Sequence, residues 1–135
     1  MAVWGIGAYY KGSSPADKTD EFLNDKRAYI GWNEPDAPAL YRMFDSIKAG
    51  DLIYIKSFAP KTKQLQIKAV GIVKDTKKKT SASLGTGIEV CWNLDFSSDT
   101  VNVTSQIYRN NVFNNTLYEE FNDNIIKEII EGLMK

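Results

Sequence analysis

The run Ser46-Ile47-Lys48-Ala49-Gly50-Asp51-Leu52-Ile53-Tyr54-Ile55-Lys56-Ser57-Phe58 joins the end of a helical pattern to a strand with no spacer between them. Gly50 can adopt the left-handed backbone that closes a helix, and Lys48 places a cation where the helix C-terminus favours one. Asp51 can turn its carboxylate onto nearby backbone N–H groups. Upstream, Leu40, Met43, Phe44 and Ile47 recur at helical spacing. A helix is therefore expected from about Ala37 to Ala49, with an apolar stripe that must lie on a sheet. Downstream, Leu52 to Phe58 and Leu65 to Val73 alternate over part of their length and are joined by a short polar connection containing Pro60, so they read as a hairpin.

The rest of the chain extends this frame. Ala2 to Tyr10 is rich in aromatic and small residues and suits a first strand, with close backbone contacts at Gly5 and Gly7. Asp17 to Lys26 reads as a short helix or ordered loop, and Ala28 to Trp32 resumes extended structure before a turn over Asn33 to Asp36. Lys77, Lys78 and Lys79 open a polar connection to Gly85-Thr86-Gly87, after which Ile88 to Leu94 alternates as another strand. A strand is expected at Val101 to Val103. Asn122 or Asp123 can cap a closing helix with Ile125, Ile126, Ile129, Ile130 and Leu133 on its apolar face. With no repeat or linker in 135 residues, one domain is expected: α+β, a small curled β-barrel with two or three peripheral helices.

Composition narrows the chemistry. The 17 basic and 17 acidic residues cancel, so any affinity for a polyanion must come from a local patch. There is no histidine, which removes the commonest general base and metal ligand. The single cysteine, Cys91, without histidine, supplies neither the usual zinc sets nor a Cys-His pair, and is expected as a small buried hydrophobe. The Gly5-Ile6-Gly7 and Gly85-Thr86-Gly87 pairs lack the remainder of a phosphate loop. Carboxylates such as Asp95, Asp99, Glu119 and Glu120 read first as solvated or capping groups. A non-enzymatic protein with no cofactor and no metal is expected, cytoplasmic by its cysteine usage and the absence of a signal-peptide pattern. No apolar run approaches the roughly 20 residues that cross a bilayer.

What the chain has in quantity is aromatic side chains: three Trp, seven Tyr and six Phe. Several stand beside glycines or at strand ends, where a flat ring can be sandwiched and its edge read by neighbouring amides. Trp32, between Gly31 and Asn33, is the leading candidate, followed by Tyr9, Tyr10, Phe58 and Trp92. Trp4 and Trp92 lie inside strand patterns, where the core is the commoner fate. Lys77, Lys78 and Lys79, with Lys74 before them, are candidate phosphate contacts, joined by Lys11, Lys61 and Lys63 if the fold gathers those loops. Arg109, in an Asn-rich stretch, reads as a ligand contact or as turn chemistry.

The succession Val3 to Tyr10, Ile30-Gly31-Trp32-Asn33, Leu40 to Asp51 running into Leu52 to Ser57, and Lys68-Ala69-Val70-Gly71-Ile72-Val73 resembles the PUA-like superfamily, in particular its EVE and YTH branches. Ile88-Glu89-Val90-Cys91-Trp92 resembles the later Val-x-Trp strand of the same families. The resemblance covers residues 2 to about 95. It implies a twisted β-barrel flanked by helices, with a pocket for one extruded, often modified, nucleobase of DNA or RNA. Trp32 and Asn33 would then form the cage wall and read the base edge. The backbone of Ala8 to Tyr10 would line the floor, and Ser57 with Phe58 would close it. The second cage aromatic of those families is replaced here by Lys74-Asp75-Thr76, leaving Trp92 or Tyr41 to complete the cage. A defence or restriction setting is consistent with such domains. The same pocket would equally serve a small-molecule or nucleotide sensor, and an aromatic core with a neutral surface would suit a protein-interaction module.

Overall fold

The structure is a computed structural model of the full chain, and it describes residues 1–11, 15–59, 64–96, 99–102 and 116–134. In chain order the elements are β1 (Val3–Gly7), β2 (Tyr9–Tyr10), β3 (Ala16–Asp17), α1 (Thr19–Asp25), β4 (Arg27–Ile30), a 3-10 turn (Glu34–Asp36), α2 (Pro38–Asp45), β5 (Leu52–Ala59), β6 (Gln64–Ser81), β7 (Gly85–Trp92), β8 (Asp99–Asn102), β9 (Leu117–Glu119) and α3 (Asp123–Leu133). The main sheet runs β4-β7-β6-β5-β1-β9, with β8 on the first part of β6; β2 and β3 form a separate ribbon. All its pairings are antiparallel except β1 with β5, which run parallel from Val3↔Leu52 to Gly7↔Lys56. The chain is thus mixed α+β, as expected.

Alternation along the central strands divides the interior between the two faces of the sheet. Trp4, Ile6, Ile53, Ile55, Ala69, Val73, Ile88 and Val90 point to one face, covered by α1 and α2 through Phe22, Tyr41 and Phe44. Val3, Leu52, Tyr54, Leu65, Ile67 and Val70 point to the other, covered by Tyr118 and by Ile125 and Ile129 of α3. Leu52 to Ile55 are all buried, which is how a strand enclosed on both sides reads. A bulge between Ile55 and Lys56 keeps this division intact as β5 passes Lys68.

Four expectations are corrected, the last of them the burial of Cys91. First, the sheet does not close as a barrel: β4 and β9 are its outer strands and do not pair with each other among the described residues. It curls, however, and the indole N–H of Trp32, just past β4, donates to Thr116 Oγ1, just before β9, at 3.3 Å. Second, the helix expected over Ala37–Ala49 ends at Asp45, and Lys48 to Asp51 form a separate turn in which Asp51 N–H donates to Lys48 C=O at 3.0 Å. Tyr41, Phe44 and Ile47 are buried, whereas Met43 is exposed. Third, Lys74 to Ser81 is not a connection but the second half of β6, paired to β7 through Lys79↔Gly87, Thr80↔Thr86 and Ser81↔Gly85 across two irregularities of register. Cys91 is exposed, because it lies opposite Ile72 on a part of the sheet that α3 leaves uncovered.

The Asp51 turn behaves as its sequence implies. Gly50 has φ +92°, and the buried Asp51 carboxylate accepts from Ala2 N–H, Lys48 N–H and the Trp4 indole N–H, each at 3.0 Å. One side chain therefore ties the turn to the start of β1. Asn122 caps α3, its Oδ1 accepting from Ile125 N–H at 3.1 Å.

Candidate functional site

The candidate residues gather where the curled sheet brings β4 close to β9. β4 ends at Ile30, and Gly31 follows with the Tyr10 ring directly behind it: a Cβ there would stand 2.9 Å from Tyr10 Cε2. Tyr10 is half-buried, packs edge-on to Phe22 and donates its hydroxyl to Leu84 C=O at 2.5 Å. Burial, with Tyr29 and Tyr41 nearby, holds that phenol well above its ordinary pKa. Tyr10 therefore backs the turn, while Tyr9, its neighbour on the opposite side of β2, is 60% exposed.

Trp32 is 56% exposed and held at two points. Its indole N–H donates to Thr116, and its carbonyl accepts from the Tyr41 hydroxyl at 2.8 Å; that hydroxyl also shares a hydrogen bond with Thr86 Oγ1 at 3.0 Å. Asn33 uses its carbonyl to accept from Asp36 N–H and Ala37 N–H, at 3.1 and 3.2 Å, and its side chain makes no capping bond to the 3-10 turn. The residues that follow Trp32 open a groove of about 630 Å³, lined by Asn33, Glu34, Pro35, Asp36, Tyr41, Lys78, Thr80 and Thr86 but not by Trp32 itself. It offers an amide, hydroxyls, two carboxylates and one ammonium, and Lys78 is ion-paired to Asp45.

The remaining candidates separate. Trp92 is a core residue, 7% exposed, with its indole N–H given to Arg27 C=O at 3.2 Å, so it does not complete a cage. Tyr41 is the aromatic that reaches the groove, with its ring buried. Ser57 is exposed on β5, and Phe58 pairs by backbone with Leu65 while its side chain lies outside the described residues. Lys77 and Lys79 are exposed on β6 but do not line the groove, and Lys11 is exposed past β2. Lys74 is paired with Glu89 at 3.2 Å. Lys61, Lys63 and Arg109 lie outside the described residues.

Sequence reasoning missed a buried polar cluster on the other face of the sheet. The Tyr54 hydroxyl donates to Glu120 Oε1 at 2.5 Å and stands 2.6 Å from the Tyr118 hydroxyl, and Glu120 Oε2 accepts from Asn122 N–H at 3.2 Å. Burial raises the Glu120 pKa, hydrogen bonds from Tyr54 and from the Asn122 and Phe121 amides opposing it. Lys56 lies on the same face, its ammonium 5.9 Å above the Tyr118 ring, and burial lowers its pKa to about 8. The available signal was Gly5: a Cβ there would meet the Tyr118 ring at 2.5 Å, so that glycine marks the ring's seat. Thr116 was missed as well; its carbonyl accepts from Gly7 N–H at 2.8 Å.

No protein-family model matches the sequence, and no curated protein matches it. No helix among the described residues is long and apolar enough to cross a membrane.

Proposed function

We propose that this protein is a PUA-like, EVE/YTH-related reader that binds nucleic acid and holds one extruded, modified base against Trp32. The observation that carries the reading is Trp32: a large aromatic, more than half exposed, yet fixed through both its indole N–H and its backbone carbonyl. An anchored ring presents a stacking face at little entropic cost, since its rotamer is already selected. Asn33, next to it in the chain, lines the groove and carries an amide suited to a base edge. The histidine-free composition supports binding in preference to catalysis.

Magnitudes define the ligand further. Stacking on one aromatic contributes about 1–3 kcal/mol. Extruding a base from a duplex costs a few kcal/mol. Trp32 alone therefore does little more than offset extrusion, and a single strand, whose bases are already unstacked, is the favoured substrate. Phosphate contacts fall to Lys11, Lys77 and Lys79, since Lys78 is engaged by Asp45. Two or three such contacts to a single strand give a log-log salt slope of about −2.

Glu34 and Asp36 in the groove wall favour a second reading, a sensor of free nucleosides, because carboxylates repel a phosphate track. One titration separates the two. Single- and double-stranded oligonucleotides with plain, methylated and hydroxymethylated bases, and the matching nucleosides, are tested against wild type and Trp32→Ala at several salt concentrations. The reader is expected to prefer modified single strands, with affinity falling as salt rises and at least tenfold weaker in Trp32→Ala of unchanged fold. Nucleoside binding without oligonucleotide binding selects the sensor, and binding to neither rejects both.

A further inference from the structure

β9 is only three residues long, yet its two ends carry the two side-chain attachments described above. At one end Thr116 receives the Trp32 indole; at the other Glu120 is held by Tyr54 and by the N–H of Asn122, the residue that caps α3. Between them, the register Trp4↔Glu119, Gly5↔Tyr118 and Ile6↔Leu117 leaves no slack, and Glu120 N–H donates to Val3 C=O at 2.7 Å directly beyond it. A strand so short moves as a unit. A change at Glu120 that shifts β9 along or away from β1 moves Thr116 too.

We propose that β9 is a proton-controlled coupler: the charge state of Glu120 sets the position of Thr116 and so the hold on the Trp32 indole. As control of a base-binding site this rests on the function proposed above; the coupling itself does not. The groups facing Glu120 are the Tyr54 phenol from β5 and the Tyr118 phenol from β9. β1 faces it with backbone at Val3 and with side-chain-free Gly5, and α3 begins beside it with Asp123. Lys56 lies further along β5, above the other side of the Tyr118 ring.

The sign follows from burial. Glu120 is 5% exposed; hydrogen bonds from Tyr54 and the Asn122 amide support its anion, but burial outweighs them, so the docked strand favours the neutral form. Docking is strongest while Glu120 is protonated. It weakens as pH rises through its folded pKa, which lies above the ordinary carboxylate value. Releasing Thr116 frees the indole, so Trp32 gains mobility and access on the alkaline side.

Trp32 is the one exposed tryptophan, Trp4 and Trp92 being buried, so acrylamide quenching of ligand-free protein reports on it selectively. Quenching is measured from pH 4 to 9 in wild type, Glu120→Gln, Tyr54→Phe and Thr116→Val, with circular dichroism to establish folding. Wild type is expected to show a step, with quenching rising above the ordinary carboxylate range; Glu120→Gln should abolish it. Tyr54→Phe, which removes a hydrogen bond that favours the anion, should move the step to higher pH, and Thr116→Val should give high quenching at every pH. A step near pH 8 that survives in Glu120→Gln belongs to Lys56. No step below pH 8 in wild type, or the same step in both Glu120→Gln and Tyr54→Phe, overturns the proposal. Because no nucleic acid is present, failure here leaves the binding titration above to judge the reader by itself.

Discussion

Two carboxylates show how much a single residue can reveal in sequence. Asp51 was legible through its one local partner: Gly50 sets up the turn and the carboxylate closes back on Lys48, whereas Ala2 and Trp4, 49 and 47 residues away, were not visible. Asp51→Ala would leave the indole of Trp4 and two backbone N–H groups without acceptors, and is expected to lower stability by about 3 kcal/mol, read from urea unfolding. Burial alone would raise the Asp51 pKa, but hydrogen bonds from Trp4, Ala2 and Lys48 outweigh it, and the net shift is downward from 3.8. Stability from a depressed carboxylate is present above the unfolded value and lost as pH falls through the folded one. Asp51→Asn should therefore flatten the acid limb of the stability profile below about pH 4. Glu120 was not legible, because its environment is supplied by Tyr54, 66 residues away. In sequence it is one half of a Glu-Glu pair, the ordinary signature of a solvated surface.

Elements were readable where hydrophobic period and capping chemistry agree. β5, β7 and α3 satisfy that condition. The second half of β6 does not: Lys74 to Thr80 are all exposed, and backbone pairing to β7 makes the strand without any apolar alternation. β9 is too short to have a period at all. Its place was visible only through the glycine that admits Tyr118. Two turns with positive φ give a comparison free of such ambiguity. Gly50 has φ +92° with no atom within 4 Å of a Cβ, whereas at Gly85, φ +98°, a Cβ would stand 2.1 Å from Ile30 C=O. Gly50→Ala is expected to cost about 1–2 kcal/mol, the backbone term alone. Gly85→Ala, which must also push β4 away from β7, should exceed about 3 kcal/mol. Equal costs in urea melts would contradict this account.

For the molecule as a whole, the central strands are shared by both interiors. Phe44 anchors the face under α2 and Ile129 the face under α3, with β5 and β6 between them. Phe44→Ala and Ile129→Ala should each cost about 2–5 kcal/mol and shift one common transition, seen alike by far-ultraviolet circular dichroism and tryptophan fluorescence. Two separate transitions would mean that the faces unfold independently. The α+β class could be read from the chain, but the failure of the barrel to close could not, because it depends on which strands end up outermost. The position of β1 has one more consequence, for the order of assembly. Its neighbours are β5, about fifty residues later, and β9, more than a hundred residues later. During synthesis β1 can acquire its parallel partner before Leu117 to Glu119 has been made, and until then the flank reserved for that segment stays bare. An uncovered edge of this kind is a site for mispairing between nascent chains. The sheet is therefore completed in two stages on this side, β5 being available to β1 well before β9.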